Sequence, residues 1–201
     1  MDFGLKKFNL FLQSAKEEFI RDYWNYYLYL EQKVLQTEQY VDFNKDNYKV
    51  YSKEYVSLLL LLLAESDKLF KVVCECYGED KDNITQYRDV INKRYTKRSV
   101  KEKVETFYDL KGFYPLSGFD KSRSPQWWYE ANKVKHNRVD YYKYANLRNV
   151  LTALACVYKL NIFLLELVNG KKHFDVPNSM MFMVPKGYTQ NMNLVLSQKR
   201  E

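Results

Sequence analysis

A chain of 201 residues, 46% hydrophobic and 28% charged, has the size and apolar content of one globular domain with a substantial core. Six glycines and four prolines are too few for the many turns of an all-β fold, and a net charge of +7 permits an anionic partner without requiring one. The longest unbroken apolar run, Leu58 to Ala64, falls far short of the ~18 residues of a membrane span, and the N-terminus carries no signal-like apolar segment. The expectation is a cytoplasmic protein without membrane contact. Three cysteines, Cys74, Cys76 and Cys156, lie in helical patterns and read as reduced thiols. Two histidines are too few for a zinc site, so neither metal nor cofactor is expected.

Apolar residues from about Leu5 to Gln36 recur at three- and four-residue steps (Phe8, Phe11, Phe19, Tyr23, Tyr27, Leu30, Val34) and predict a long amphipathic helix. Polar residues Thr37 to Tyr48 read as a loop. A second helix, about Ser52 to Tyr77, carries six consecutive leucines from Leu58 and, being apolar all round there, belongs at the centre of a bundle. Glu65 lies on the stripe of Leu58, Leu61 and Leu62, so it is either a partly buried carboxylate needing a partner or a surface acid paired with Lys68, as Asp67 would be with Lys71. Gly78 ends this helix, and a basic helix follows from about Asn83 to Arg98. Residues 104–123 read as an aromatic loop. Ser124 and Pro125 then open a short helix as N-cap and first helical residue. After a break near Asp140, a long helix runs from about Tyr142 to Val168 and stops at Asn169-Gly170.

Beyond it, Met180–Val184 and Leu194–Leu196 flank a Pro185–Tyr188 turn and suggest a small hairpin or an extended strap. The architecture expected is all-α: an antiparallel bundle of about four to five helices over residues 1–170, with residues 171–201 a tail packed on the same domain.

The short helix carries the candidate chemistry. Trp127, Ala131 and Val134 make its apolar stripe, while Trp128, Asn132 and His136 follow at four-residue steps on the neighbouring one. The charge is concentrated. Six basic residues between Lys93 and Lys103 face only Glu102, and five between Lys121 and Arg138 face only Glu130. The two runs are either solvated helix faces or one phosphate-binding surface that includes the helix of His136. His173 sits in a polar turn and reads as a solvated surface residue. No glycine-rich phosphate loop, nucleophile elbow or acidic two-metal cluster is present in the sequence. His136 is therefore the one candidate general acid or base. An imidazole flanked by Lys133, Lys135 and Arg138 suits cleavage of RNA by its own 2′-hydroxyl, with one group moving protons while cations hold the phosphoryl group. The competing reading is that Asn132 and His136 form a hydrogen-bonded pair on a helix flank.

The run Trp127-Trp128-Tyr129-Glu130-Ala131-Asn132-Lys133-Val134-Lys135-His136-Asn137-Arg138, followed by a long apolar helix, resembles the HEPN superfamily (higher eukaryotes and prokaryotes nucleotide-binding domain) over about residues 5–169. The resemblance implies an all-α bundle, frequently a homodimer, from toxin–antitoxin, anti-phage or RNA-processing systems. It also implies a metal-independent ribonuclease site paired across a two-fold interface. The family signature is an arginine, a polar residue and, about a turn later, a histidine; the last two fall on Asn132 and His136. An acidic residue of an earlier helix often supports the site, and Glu65 or Asp67 would match. The arginine position falls on Ala131. Arg138 occupies the place of a tyrosine that some members offer to a nucleotidyltransferase partner, and it could supply the missing cation.

Two functions follow as expectations. In the first, the chain binds or cleaves RNA, with His136 as acid/base, Asn132 its orienter, Glu65 in support and Arg138 as substitute cation. Lys133, Lys135, Arg94, Lys97 and Arg98 would then bind the nucleic acid. In the second, the chain is a non-catalytic dimerisation or protein-interaction module, with a cognate antitoxin or nucleotidyltransferase-like protein as possible company. An exposed His136 in a basic setting favours the first; His136 buried against Trp128 favours the second.

Overall fold

In the computed structural model, which describes residues 14–170 and 172–190, the chain is mostly helical. The long first helix is seen from Ser14 onward, and its expected start at residues 5–13 lies outside the described residues. Residues 14–19 lead into a π-helical turn, Ile20–Trp24, and then α1, Asn25–Leu35. Next come α2 (Lys53–Glu75), α3 (Ile84–Arg94), α4 (Lys97–Lys101), α5 (Gln126–His136), α6 (Arg138–Tyr141) and α7 (Leu147–Asn169).

The centre of the molecule is the pair α2 and α7. Leu58, Leu59, Leu62 and Leu63 are buried, as is every residue from Ala153 to Leu165. Both helices begin with side-chain caps: Ser52 accepts from the Tyr55 amide and Asn146 from the Asn149 amide. The caps lie side by side, bridged between Tyr51 and Asn146, and the Leu147 amide donates to the Val50 carbonyl at 2.9 Å. At the far end, Tyr77 beyond α2 meets Tyr95, which stacks on Phe163 of α7 with ring centroids 3.9 Å apart. The central helices therefore run in the same direction, and a strictly antiparallel order does not hold for them. Helix α7 is long and apolar enough for a membrane crossing (mean hydropathy 1.8), but 83% of that window is buried inside the protein, as befits a core helix.

Around this pair, Trp24 of the π-helical turn and Tyr27 of α1 pack on α7, their rings 6.0 and 5.4 Å from that of Tyr158. Helices α3 and α5 meet α2 at Phe70, which stacks on Tyr87 (5.5 Å) and takes the edge of Trp128 (5.8 Å). The single basic helix expected over residues 83–98 is divided. Tyr95 turns extended to place its ring on Phe163, and Thr96 caps a new helix, α4.

The segment joining α4 to α5 is irregular and held by a bridge in which Val104 and Phe113 exchange backbone hydrogen bonds of 2.8 and 2.9 Å. Gly112 enters it at φ +71°, where a Cβ would stand 2.8 Å from the Val104 carbonyl oxygen. Gly112→Ala is therefore expected to cost about 2 kcal/mol of unfolding free energy, combining left-handed strain with that clash; a urea titration reads it.

Past Gly170, which ends α7 in the left-handed region as expected, the tail is a strap. Its strands β1 (His173–Phe174) and β2 (Thr189–Gln190) pair in parallel, not as a hairpin, because the 14 residues between them cross the body of the protein. The strand expected at Leu194–Leu196 lies outside the described residues. Phe182 bridges to Thr106, and buried Glu31 of α1 accepts hydrogen bonds from the Met180 and Met181 amides at 2.9 and 3.2 Å. His173 is half-buried rather than solvated, with its Nδ1 2.8 Å from the Thr189 hydroxyl and its Nε2 3.9 Å from Asp175.

Candidate functional site at the α5–α6 junction

Helix α5 presents its apolar stripe inward. Trp127, Trp128, Ala131 and Val134 are all buried, and the Trp127 indole N–H donates to the Pro115 carbonyl at 2.8 Å. Pro125 occupies the N-cap position and Ser124 precedes it, one residue earlier than the sequence suggests, so no side chain caps this end. Glu130 anchors the middle of the helix: it accepts from Gln126 (2.7 Å) and from Asn149 (2.6 Å) at the start of α7. The last turn carries Lys133 and Lys135, cations placed where the helix C-terminus favours them, together with His136. Asn137 then caps α6, accepting from the Asp140 amide at 3.3 Å and donating to its carboxylate at 2.6 Å.

His136 is exposed, and neither ring nitrogen has a hydrogen-bond partner among the described residues. It is not packed against Trp128. Lys135 and Arg138 flank it and are exposed as well. The Lys133 ammonium lies over two tyrosine rings, 5.4 Å from the centroid of Tyr129 and 5.2 Å from that of Tyr141. Tyr141 in turn stacks on Tyr144 at 5.7 Å and 11°. This Tyr–Lys–Tyr arrangement was only half visible in the sequence. The spacing of Tyr129 and Lys133 shows one contact, but Tyr141 comes from the next helix.

The other candidate residues sort differently. Asn132 donates its amide to the Trp128 carbonyl at 2.9 Å within its own helix, and no hydrogen bond joins it to His136; neither an orienting role nor a hydrogen-bonded pair is seen. Glu65 is 7% exposed, and burial pushes its carboxyl up with Lys68 opposing. Its charge acts on Tyr26 of α1, so it lies toward the α1 side of α2. Asp67, about 200° further round the helix, is the carboxylate toward α5. Burial raises its pKa, while the Tyr87 hydroxyl, Lys135 and Lys71 oppose that shift. Asp67, not Glu65, is thus the carboxylate on the side of α2 that faces Tyr87 of α3 and Lys135 of α5. Ala131, where the HEPN resemblance would place an arginine, is fully buried.

The second basic run stands elsewhere. Tyr95, between Arg94 and Lys97, is anchored on Phe163, whereas α5 is anchored on Asn149; these points are about 21 Å apart along α7. Arg94 lies over the Tyr77 ring at 4.8 Å, and Lys97 and Arg98 are exposed. Lys93 reaches Glu79 (3.7 Å), Lys101 pairs with Asp120 (2.9 Å) and Lys103 with Glu105 (2.9 Å), which removes half of that run's free charge. The two basic runs are thus separate patches and do not form one surface. Sequence reasoning also missed Lys159, buried at 6% exposure in the middle of α7, whose ammonium donates to the Glu102 carbonyl at 2.7 Å and the Val100 carbonyl at 3.4 Å. The signal was present: it is the one charge between Arg148 and Glu166.

Among the described residues no group of His, Cys, Asp and Glu side chains is arranged to hold a metal. Cys74 and Cys156 are buried free thiols, pushed up to about 11 and about 12 by burial, and have no nucleophilic character at neutral pH. No family model, no curated protein and no solved structure matches this chain.

Proposed function

We propose that the chain is a HEPN-like helical protein that engages single-stranded RNA at the α5–α6 junction and cleaves it through His136. The observation that carries this reading is the exposed imidazole of His136, without a hydrogen-bond partner among the described residues, set between Lys135 and Arg138 and beside the lysine-capped tyrosines. Unpaired bases stack on exposed aromatic rings and phosphates seek the adjacent cations, which is the usual physics of single-strand recognition. In the reaction, the His136 imidazole takes the proton of a ribose 2′-hydroxyl as that oxygen attacks the adjacent phosphorus. The bond to the 5′-oxygen breaks, and the resulting imidazolium returns a proton to the leaving oxygen. The products are a 2′,3′-cyclic phosphate and a free 5′-hydroxyl. Arg138 and Lys135 would stabilise the phosphoryl charge.

The test is a gel assay of wild type and His136→Ala on tRNA and mixed cellular RNA in EDTA. His136→Ala is expected to lose at least about 100-fold in cleavage rate. Because the side chain is exposed, its unfolding free energy should change by no more than about 0.5 kcal/mol. Equal cleavage by both proteins rejects the catalytic role. The second reading, an interaction module acting as a homodimer or with a cognate antitoxin or nucleotidyltransferase-like partner, draws on the apolar exposure at the same junction. Val139 is 85% exposed and Tyr129 52%. It is preferred if neither protein cleaves or binds RNA and Val139→Glu dissociates a dimer in sedimentation.

A further inference from the structure

A cavity of about 520 Å³ lies between α4, the segment that follows it, the C-terminal half of α7 and residues 183–188 of the strap. This is within the size range of small-molecule sites. Its walls combine an apolar side, from Ile162, Phe163 and Val184, with a basic one. Of the six cations that the described residues place around it, three are paired: Lys101 with Asp120, Lys103 with Glu105 and Lys172 with Glu166 at 3.8 Å. Arg98 and Lys186 have no partner among the described residues, and Lys159 stands at the wall with two of its three N–H bonds committed to backbone carbonyls. Glu166, the one carboxylate that α7 contributes, is engaged by the Tyr188 hydroxyl as well as by Lys172.

A buried ammonium with a spare donor is costly unless an acceptor completes its shell. Helix interiors of this kind are filled with leucine or isoleucine at far less cost, so the lysine needs a reason. We propose that this cavity binds a small amphipathic anion. Its apolar body, aromatic or branched, would lie on Ile162, Phe163 and Val184, and its carboxylate-like group would take the third N–H of Lys159 with Arg98 at the mouth. Burial lowers the Lys159 pKa to about 8, with the Glu102 carboxylate opposing, so the group is still mostly protonated at neutral pH and available to an anion. The site is independent of the His136 junction and of whether RNA is the substrate there.

The experiment compares two probes with the same ring and nearly the same shape, anionic 2-naphthoate and neutral 2-naphthamide, by ligand-observed NMR and titration calorimetry on the full chain. Saturable one-to-one binding of 2-naphthoate is expected, at least tenfold tighter than 2-naphthamide. Lys159→Met should remove that preference, and Val184→Trp, which fills the cavity from its partly exposed rim, should abolish binding of both probes. Circular dichroism verifies that each variant is folded; should Lys159→Met fail to fold, Val184→Trp and the naphthoate-to-naphthamide ratio still decide. Equal affinity for the two probes, no saturable naphthoate binding, or unchanged binding in folded Val184→Trp overturns the proposal. Binding of inorganic phosphate as tight as that of 2-naphthoate also overturns it, since the apolar body would then be irrelevant.

Discussion

Glu31→Ala is expected to lower the unfolding free energy by about 4 kcal/mol, a large share of the stability of a domain this size. The carboxylate is 2% exposed and collects four donors. The Tyr27 hydroxyl is at 2.5 Å, the Met180 and Met181 amides are at 2.9 and 3.2 Å, and the Ser179 hydroxyl completes the set. Three of these donors lie about 150 positions away in the chain, so the contact fastens the C-terminal strap to the first helix. Removing the acceptor strands buried donors, each worth about 1–3 kcal/mol, but the effects are not additive. Ser179 still accepts from the Phe182 amide at 2.7 Å and can re-pair with Tyr27, also at 2.7 Å, which holds the total near the lower part of the simple sum. Glu31→Gln keeps the volume and one acceptor oxygen and should cost about half as much. Urea titration measures both. The Trp24 indole, which donates to the Pro177 carbonyl of the same strap at 2.9 Å, reports the mechanism through its fluorescence. A loss under about 1 kcal/mol, or an unchanged Trp24 environment, would mean that the strap is held by Phe174, Met181 and Phe182 alone.

That node illustrates what local sequence can and cannot convey. The caps Ser52 and Asn83 and the stop at Gly170 are legible because a cap is a contact between residues three apart, or a single left-handed position. Glu31 looks like any acid on a polar helix face, since every strap donor to it is 148–150 residues distant. The division of the basic helix at Tyr95 was equally hidden. Helical periodicity runs through it, and what breaks it is a ring stack on Phe163, 68 residues on. At the candidate site the sequence located the inward stripe of α5, Trp127, Ala131 and Val134, because 100° per residue fixes it, while the neighbouring stripe runs from buried Trp128 to exposed His136. It could not tell Glu65 from Asp67, since which side of a central helix meets α1 and which meets α5 is a matter of tertiary packing. Nor could it separate the two basic runs, whose distance depends on where each is anchored along α7.

Ala131→Arg carries the other large effect, and it bears directly on the proposed HEPN-like reading of α5. Under the proposed reading, placing an arginine where the HEPN resemblance expects one is the natural gain-of-function change. The structure predicts the opposite. Ala131 is fully buried on the stripe of Trp127 and Val134, with α5 packed against α2 through Trp128 and Phe70. A guanidinium there must either displace the helix or lie uncompensated in the core, since no carboxylate but the already engaged Glu130 adjoins it on α5. A loss of more than about 4 kcal/mol is expected, enough to leave little folded protein. Asn132→Arg is the informative partner. That position is half-buried, on the stripe of the exposed His136, and gives up only one hydrogen bond to the Trp128 carbonyl. It should cost about 1 kcal/mol or less. If the α5–α6 junction handles RNA, the added cation one turn before the imidazole should also tighten RNA binding and steepen its salt dependence by about one phosphate contact. Soluble yield, thermal unfolding and filter binding at two salt concentrations separate the outcomes. A stable Ala131→Arg would show that the inward stripe of α5 is not as packed as described. A stable Asn132→Arg with unaltered RNA affinity would move the nucleic acid away from this face and favour the interaction module.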